Sequence, residues 1–112
     1  MELHSETIGA ILVATYGEPS LDASNNREFV EGFSALLTPG ARIVLDMSHL
    51  RFVDSSGLGS MMLCMRRLKG AGGDLKLCGL SGSVMALFEL VRMNRVFDIY
   101  PTREEAIRVL ET

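Results

Sequence analysis

Arg42-Ile43-Val44-Leu45-Asp46, then Phe52-Val53-Asp54-Ser55-Ser56-Gly57-Leu58-Gly59, then Asp74-Leu75-Lys76-Leu77-Cys78 are the three stretches that decide the fold. The first is short and continuously apolar in its middle, as a strand covered on both faces is. The second follows a loop, Met47 to Asp54, and opens a helical pattern from about Ser56 to Lys69. At about 100° per residue, Leu58, Met61, Met62, Met65 and Leu68 share one face. Ser60, Leu63, Arg66 and Arg67 fall on the other side. Gly70-Ala71-Gly72-Gly73 stops this helix, and the third stretch alternates, with Leu75 and Leu77 on one side. A strand, a helix with one apolar face and a second strand predict a parallel crossover unit.

The same alternation extends in both directions. Ile8 to Tyr16 contains the run Ala10-Ile11-Leu12-Val13-Ala14 and reads as a strand, with Leu3 to Thr7 as a short edge strand before it. Gly17-Glu18-Pro19-Ser20 is a turn. From Leu21 the period becomes helical, with Phe29, Val30, Phe33, Leu36 and Leu37 on one face, Asp22 or Ser24 as N-cap, and Thr38-Pro39-Gly40 as the stop. Downstream, Ser83 to Arg92 predicts a helix carrying Val84, Leu87, Phe88 and Val91, and Val96 to Tyr100 a short strand. Thr102-Arg103-Glu104-Glu105 is a capping box for a terminal helix with Ala106, Ile107, Val109 and Leu110 inward. The expected fold is a single α/β domain over residues 1–112, with a four- to five-stranded, mainly parallel sheet and about four helices.

With 112 residues the chain can build one real core, and two separate domains would each be marginal. Hydrophobic residues at 47% and charged residues at 22% exclude global disorder. The net charge is −3, from 11 basic and 14 acidic residues, and the longest basic run is Arg66-Arg67. Neither a nucleic-acid partner nor a membrane surface is expected from such a balance. No apolar run reaches the roughly 18 residues of a membrane span. The polar start Met1-Glu2-Leu3-His4-Ser5-Glu6 does not resemble a secretory leader, so a reducing, cytoplasmic setting is expected. Cys64 and Cys78 are then core thiols.

Catalytic constellations are missing from the sequence, so an enzyme is not expected. His4 and His49 have no nucleophile to serve in a defensible triad. There is no phosphate-binding Gly-x-x-x-x-Gly-Lys-Ser/Thr motif and no Gly-x-Ser-x-Gly elbow. A phospho-acceptor receiver domain needs an acidic pair after its first buried strand, where Glu18 stands alone. Gly79-Leu80-Ser81-Gly82-Ser83 connects a strand to a helix and offers amides to an anion, although such glycines more often only turn the chain.

The informative segment is Asp54 to Gly59. Hydroxyl residues at a helix start are ordinary caps, and Ser55 or Ser56 serves as one. Asp54 either caps the first-turn amides or positions the Ser55 hydroxyl, and Ser56 is read as a cap ahead of a second modification site. The two glycines leave little bulk: Gly57 lets another chain approach the backbone and Gly59 lets the helix pack close to the sheet. Free amides in the first turn favour a negative group, so a phosphate on Ser55 is tolerated by the fold. Leu63, facing outward beside this turn, is a candidate contact residue.

Asp54-Ser55-Ser56-Gly57-Leu58-Gly59, following an Ile-Val-Leu-Asp strand, resembles the signature of STAS domains, and more narrowly of bacterial anti-sigma factor antagonists. Leu21-Asp22-Ala23-Ser24-Asn25, Gly72 to Gly79 and Phe88 to Phe97 extend the resemblance over nearly the whole chain. Pro19 stands where the family often has glycine. The resemblance implies that Ser55 is phosphorylated by a partner that is both anti-sigma factor and serine kinase. It implies that the unmodified protein binds this partner and frees a sigma factor, and that a PP2C-type phosphatase resets the modified form. The implied roles are partner switching in transcription regulation and stress response, by a monomer with no cofactor and no metal. Expected partner-binding residues are Asp22, Asn25, Asp54, Ser55, Ser56, Gly57, Leu58 and Leu63. The alternative is an unphosphorylated STAS subunit of a transport or signalling complex.

Overall fold

The computed structural model describes residues 3–111. Met1 and Glu2, read above as part of the polar start, and Thr112 lie outside the described residues. In chain order the elements are β1 (Leu3–Ile8), β2 (Ile11–Tyr16), β3 (Ser20–Leu21), α1 (Asn26–Ser34), β4 (Arg42–Asp46), β5 (Phe52–Val53), α2 (Ser55–Gly70), β6 (Asp74–Cys78), α3 (Gly82–Leu90), β7 (Asp98–Tyr100) and α4 (Arg103–Glu111). A 3-10 turn, Met93–Arg95, joins α3 to β7.

Five strands form one sheet in the order β1-β2-β4-β6-β7. Pairing is parallel throughout except for the antiparallel edge pair β1–β2. The continuous apolar run in β4 is explained by cover on both faces. Ile43 and Leu45 join Phe29 and Phe33 of α1, Met61 and Leu68 of α2, and Phe88 of α3. Val44 points the other way and, with Ile11, Val13 and Cys78, packs on Ala106 and Leu110 of α4. The sheet therefore carries three helices on one face and one on the other. Lys76, on the α4 side of β6, is buried between Asp74 at 3.2 Å and Asp98 at 2.7 Å.

Several expectations are corrected in detail. Ile8 to Tyr16 is not one strand. Gly9, at φ +61°, turns the chain, so Ile8 ends β1 and pairs with Ile11. The predicted Val96–Tyr100 strand is shorter, because Val96 is still helical in backbone and follows the 3-10 turn. Helix α1 starts after Asn25 with no side-chain cap, and neither Asp22 nor Ser24 serves as one. It ends at Ser34, so Leu36 and Leu37 pack against the core from the connection that follows. Thr102 does cap α4, its Oγ1 accepting the Glu105 amide at 3.2 Å.

Two short strands positioned the site without announcing themselves in the sequence. β3 and β5 pair in parallel, Ser20 opposite Phe52 and Leu21 opposite Val53, inside what read as a turn and a loop. The Arg51 and Phe52 amides both donate to the Pro19 carbonyl, at 2.7 and 3.1 Å, and the Asp54 amide donates to Leu21 O at 3.3 Å.

Candidate functional site

Helix α2 begins immediately after this two-strand clamp, and its cap is Asp54. In extended backbone, Asp54 accepts the Gly57 amide at 2.9 Å and the Ser56 hydroxyl at 2.6 Å on Oδ1. Its Oδ2 accepts the Ala23 amide at 3.3 Å. The Ser56 hydroxyl, the Gly57 amide and further backbone donors hold the carboxyl below the usual carboxylate range. Ser56 is thus the donor to the cap, and the expectation that it caps the helix itself is not met.

Ser55 is different. It is the first residue of α2, it is exposed, and its hydroxyl makes no hydrogen bond to any described residue. With Asp54 and Ser56 bonded to each other, Ser55 is the hydroxyl left open at this helix start.

The Asp22 turn abuts it through the Ala23–Asp54 bond. Asp22 accepts the Ser24 hydroxyl and the Ser24 amide, the latter at 2.9 Å, and these bonds lower its pKa. Asn25 locks the turn from below, its Oδ1 accepting the Asp22 amide and its Nδ2 donating to Ser20 O, both at 2.9 Å. Tyr16 donates to the same Ser20 carbonyl at 2.6 Å. Burial, and then the charges of Glu18 and Asp22, push the Tyr16 hydroxyl upward. The surroundings of Ser55 are therefore acidic.

The structure brings Asp22, Asn25, Asp54, Ser55 and Ser56 together and places Leu63 two turns along α2, 37% exposed. Gly57 and Leu58 lie under this surface. Leu58 is 8% exposed, and a Cβ on Gly57 would stand 2.2 Å from Leu21 O and 2.8 Å from a Val53 methyl. Neither glycine has the role expected of it. Gly57 admits the chain's own β3 strand, whereas a Cβ on Gly59 would meet nothing within 4 Å. Ser60, expected outside, is buried with its hydroxyl on Ser56 O at 3.0 Å, and Cys64 joins the core while Met62 and Met65 are only half-buried. Phe52, 56% exposed just ahead of buried Val53, was not singled out as a surface residue, and a two-residue strand carries no period that would have shown it.

The Gly79–Ser83 turn is occupied by its own helix. Ser81 Oγ accepts the Val84 amide at 3.3 Å and caps α3. Among the described residues, no group of three or more His, Cys, Asp or Glu side chains is placed to hold a metal, and no helix is long and apolar enough to cross a membrane.

The family model of the STAS domain matches residues 3–106. The chain belongs to the STAS domain family. Among its relatives, BtrV of Bordetella bronchiseptica, a candidate anti-sigma factor antagonist, is 27% identical over 113 residues, which cover 100% of this STAS chain and 97% of that one. An anti-sigma-factor antagonist (STAS) domain protein from Planctomyces limnophilus superposes with a TM-score of 0.88 over 98% of both chains at 16% identity, a likeness of fold. The anti-sigma factor antagonist SpoIIAA in its unphosphorylated form gives a TM-score of 0.76 at 26% identity, covering 99% of this chain and 98% of that one. SpoIIAA of Bacillus has also been solved in its phosphorylated form, which gives 0.68 at 24% identity over 97% and 99% of the two chains.

Proposed function

We propose that this STAS domain is a cytoplasmic anti-sigma factor antagonist switched off by phosphorylation of Ser55. Unmodified, it binds as a monomer to an anti-sigma factor that is also a serine kinase, and so frees a sigma factor. A PP2C-type phosphatase restores the binding form. The chain supplies an acceptor hydroxyl and a docking surface, and no catalytic group. The observation that carries this reading is the open Ser55 hydroxyl at the first residue of α2, next in the chain to an Asp54 carboxylate that is fixed by its own hydrogen bonds and joined to the Asp22 turn through the Ala23 amide. The names of BtrV and SpoIIAA support the general role.

Switching then works by exclusion. A phosphate on Ser55 carries about −1.5 to −2 charges at neutral pH and is tolerated at a helix N-terminus. When a partner docks, the same phosphate is desolvated beside Asp54 and Asp22. Disrupting a buried charged contact costs about 2–5 kcal/mol, which is roughly 30- to several-thousand-fold in affinity.

The test is incubation of the purified chain with Mg·ATP and each anti-sigma kinase of the source genome, with the modified residue mapped by mass spectrometry. One phosphate on Ser55 is expected, and none on Ser55→Ala. Ser55→Glu is expected to keep its melting behaviour and lose partner binding. Modification elsewhere, or wild-type affinity in Ser55→Glu, overturns the reading.

A further inference from the structure

The end of the sheet away from Ser55 carries an exposed segment that the fold does not account for. Strands β2, β4, β6 and β7 run in parallel and α2 and α3 run back against them, so Ser55 lies at one end and Leu90 at the other. There α3 gives way to the 3-10 turn through Arg92, whose φ of +63° makes it the one non-glycine residue with left-handed backbone among those described. Just past a helix this conformation favours glycine, because a Cβ crowds the backbone. The Arg92 side chain is exposed and makes no bond to a described residue that would offset the strain.

The surroundings of Arg92 are apolar and basic. Leu90 is 80% exposed, more than any other large apolar side chain among the described residues, and Val91 and Val96 are exposed beside it. The Arg95 amide closes the turn on the Arg92 carbonyl at 3.2 Å, so one turn carries two guanidinium groups, and the Arg95 side chain is likewise exposed and unbonded. Of the two acidic side chains in this segment, Asp98 is held by Lys76 at 2.7 Å and Glu89 stands open. Arg66 and Arg67, on the last turns of α2, add basic charge at the same end. The net charge of −3 hides this excess, because Asp22, Asp54, Glu104 and Glu105 gather at the opposite end.

We infer that this end of the domain docks on an anionic phospholipid bilayer, with Leu90, Val91 and Val96 entering the headgroup layer and Arg92 and Arg95 against lipid phosphates. A cationic turn with protruding apolar side chains matches a surface that is negative outside and apolar beneath. The occupant is not a second copy, because a two-fold contact through this turn would set arginines against arginines. It is not an acidic protein segment, because Leu90 stands out from the domain instead of lining a recess, and the basic groups are spread over the ends of two elements, which a plane meets together. Bound in this way, the domain keeps Ser55 on its far side. The inference stands apart from the reading of Ser55, since neither a kinase nor a phosphorylated serine enters it.

Flotation of the purified chain with vesicles of phosphatidylglycerol and phosphatidylcholine in equal parts tests it. Binding is expected to these and not to phosphatidylcholine alone, and high salt, which screens exposed charges, should abolish it. The double variant Arg92→Gly, Arg95→Gln is expected to bind about thirtyfold more weakly, from about fivefold for each arginine. Leu90→Ser should lose about tenfold. Arg92→Gly alone should also raise Tm by about 3–6 °C, since glycine takes left-handed backbone without strain. Arg27→Gln is the control, because Arg27 is exposed on the first turn of α1 at the opposite end, and it should leave binding unchanged. No binding to either vesicle, equal binding to both, or wild-type binding by the double variant overturns the inference. So does a lower Tm in Arg92→Gly, or capture by polyglutamate without vesicle binding. If the chain binds anionic vesicles but no kinase modifies Ser55, only the functional reading fails.

Discussion

Replacing Gly57 with alanine probes the packing that holds the Ser55 turn against the rest of the domain. The added Cβ would stand 2.2 Å from Leu21 O, 2.8 Å from a Val53 methyl and 2.9 Å from the Leu21 carbonyl carbon. An ordinary carbon–oxygen contact is about 3.3 Å or more, so α2 and β3 must separate by about 1 Å. Two of the three obstructing atoms are backbone, and no rotamer change relieves them. Overpacking of this kind costs about 1–3 kcal/mol. Loss of the Asp54–Leu21 backbone bond, 3.3 Å long, adds about 0.5–1.5 kcal/mol. Alanine returns at most about 1 kcal/mol of helix propensity. The net expectation is destabilisation by about 1–3 kcal/mol. With an m-value near about 1.5 kcal/mol/M, the urea midpoint falls by about 0.7–2 M with unchanged slope. Far-UV circular dichroism during urea titration reads this directly. An unchanged or raised midpoint would refute the assignment of Gly57 to the inner side of the helix.

Other consequences follow from charge and burial. Arg103 bonds Asp46 through Nε and a terminal nitrogen at 3.1 and 2.7 Å, and reaches Glu6 and Thr15 as well. Arg103→Ala strands a carboxylate that is only 8% exposed, and a loss of about 2–4 kcal/mol is expected in thermal or urea unfolding. Burial alone would raise the Asp46 carboxyl, but the Arg103 hydrogen bonds, the Ser48 amide and the guanidinium charge outweigh it and lower the pKa. A depressed folded value means that the stabilisation is complete above the unfolded carboxyl's pKa of about 4 and disappears as pH falls through the folded value. Asp46→Asn should therefore flatten the acid limb of a stability-versus-pH curve, and an unaltered limb would count against this pair. Burial pushes the Cys64 and Cys78 thiols up to about 12, so neither should react with a thiol reagent at pH 8 until urea unfolds the chain. Rapid titration of either thiol in the native protein would contradict their placement.

The alternation of strands and helices was legible because each long element carries its own period. Phe29 and Phe33 mark α1, and the unbroken Ile43-Val44-Leu45 run implied cover on both faces of the sheet. The β3–β5 pair was not legible, since two residues cannot display a period and their pairing joins distant parts of the chain. The hairpin at Gly9 was hidden by apolar residues on both sides of the turn, Ile8 and Ile11, which fused two strands into one apparent run. The exposed position of Ser55 at the start of α2 was readable from its motif. Which glycine faces inward was not, because that depends on where Leu21 O arrives from another segment. The cap was similarly ambiguous among Asp54, Ser55 and Ser56 until hydrogen-bond partners distinguished them.

If Ser55 is phosphorylated as proposed, the β3–β5 clamp and the Ala23–Asp54 bond, which spans 31 residues of chain, make the target a composite epitope. A short synthetic peptide copied from around Ser55 would carry the acceptor hydroxyl but lack the Asp22 loop beside it. Recognition of this serine is then a property of the tertiary surface, beyond the reach of any linear consensus. Two stretches that drift independently in sequence are thereby obliged to present themselves to an enzyme as one.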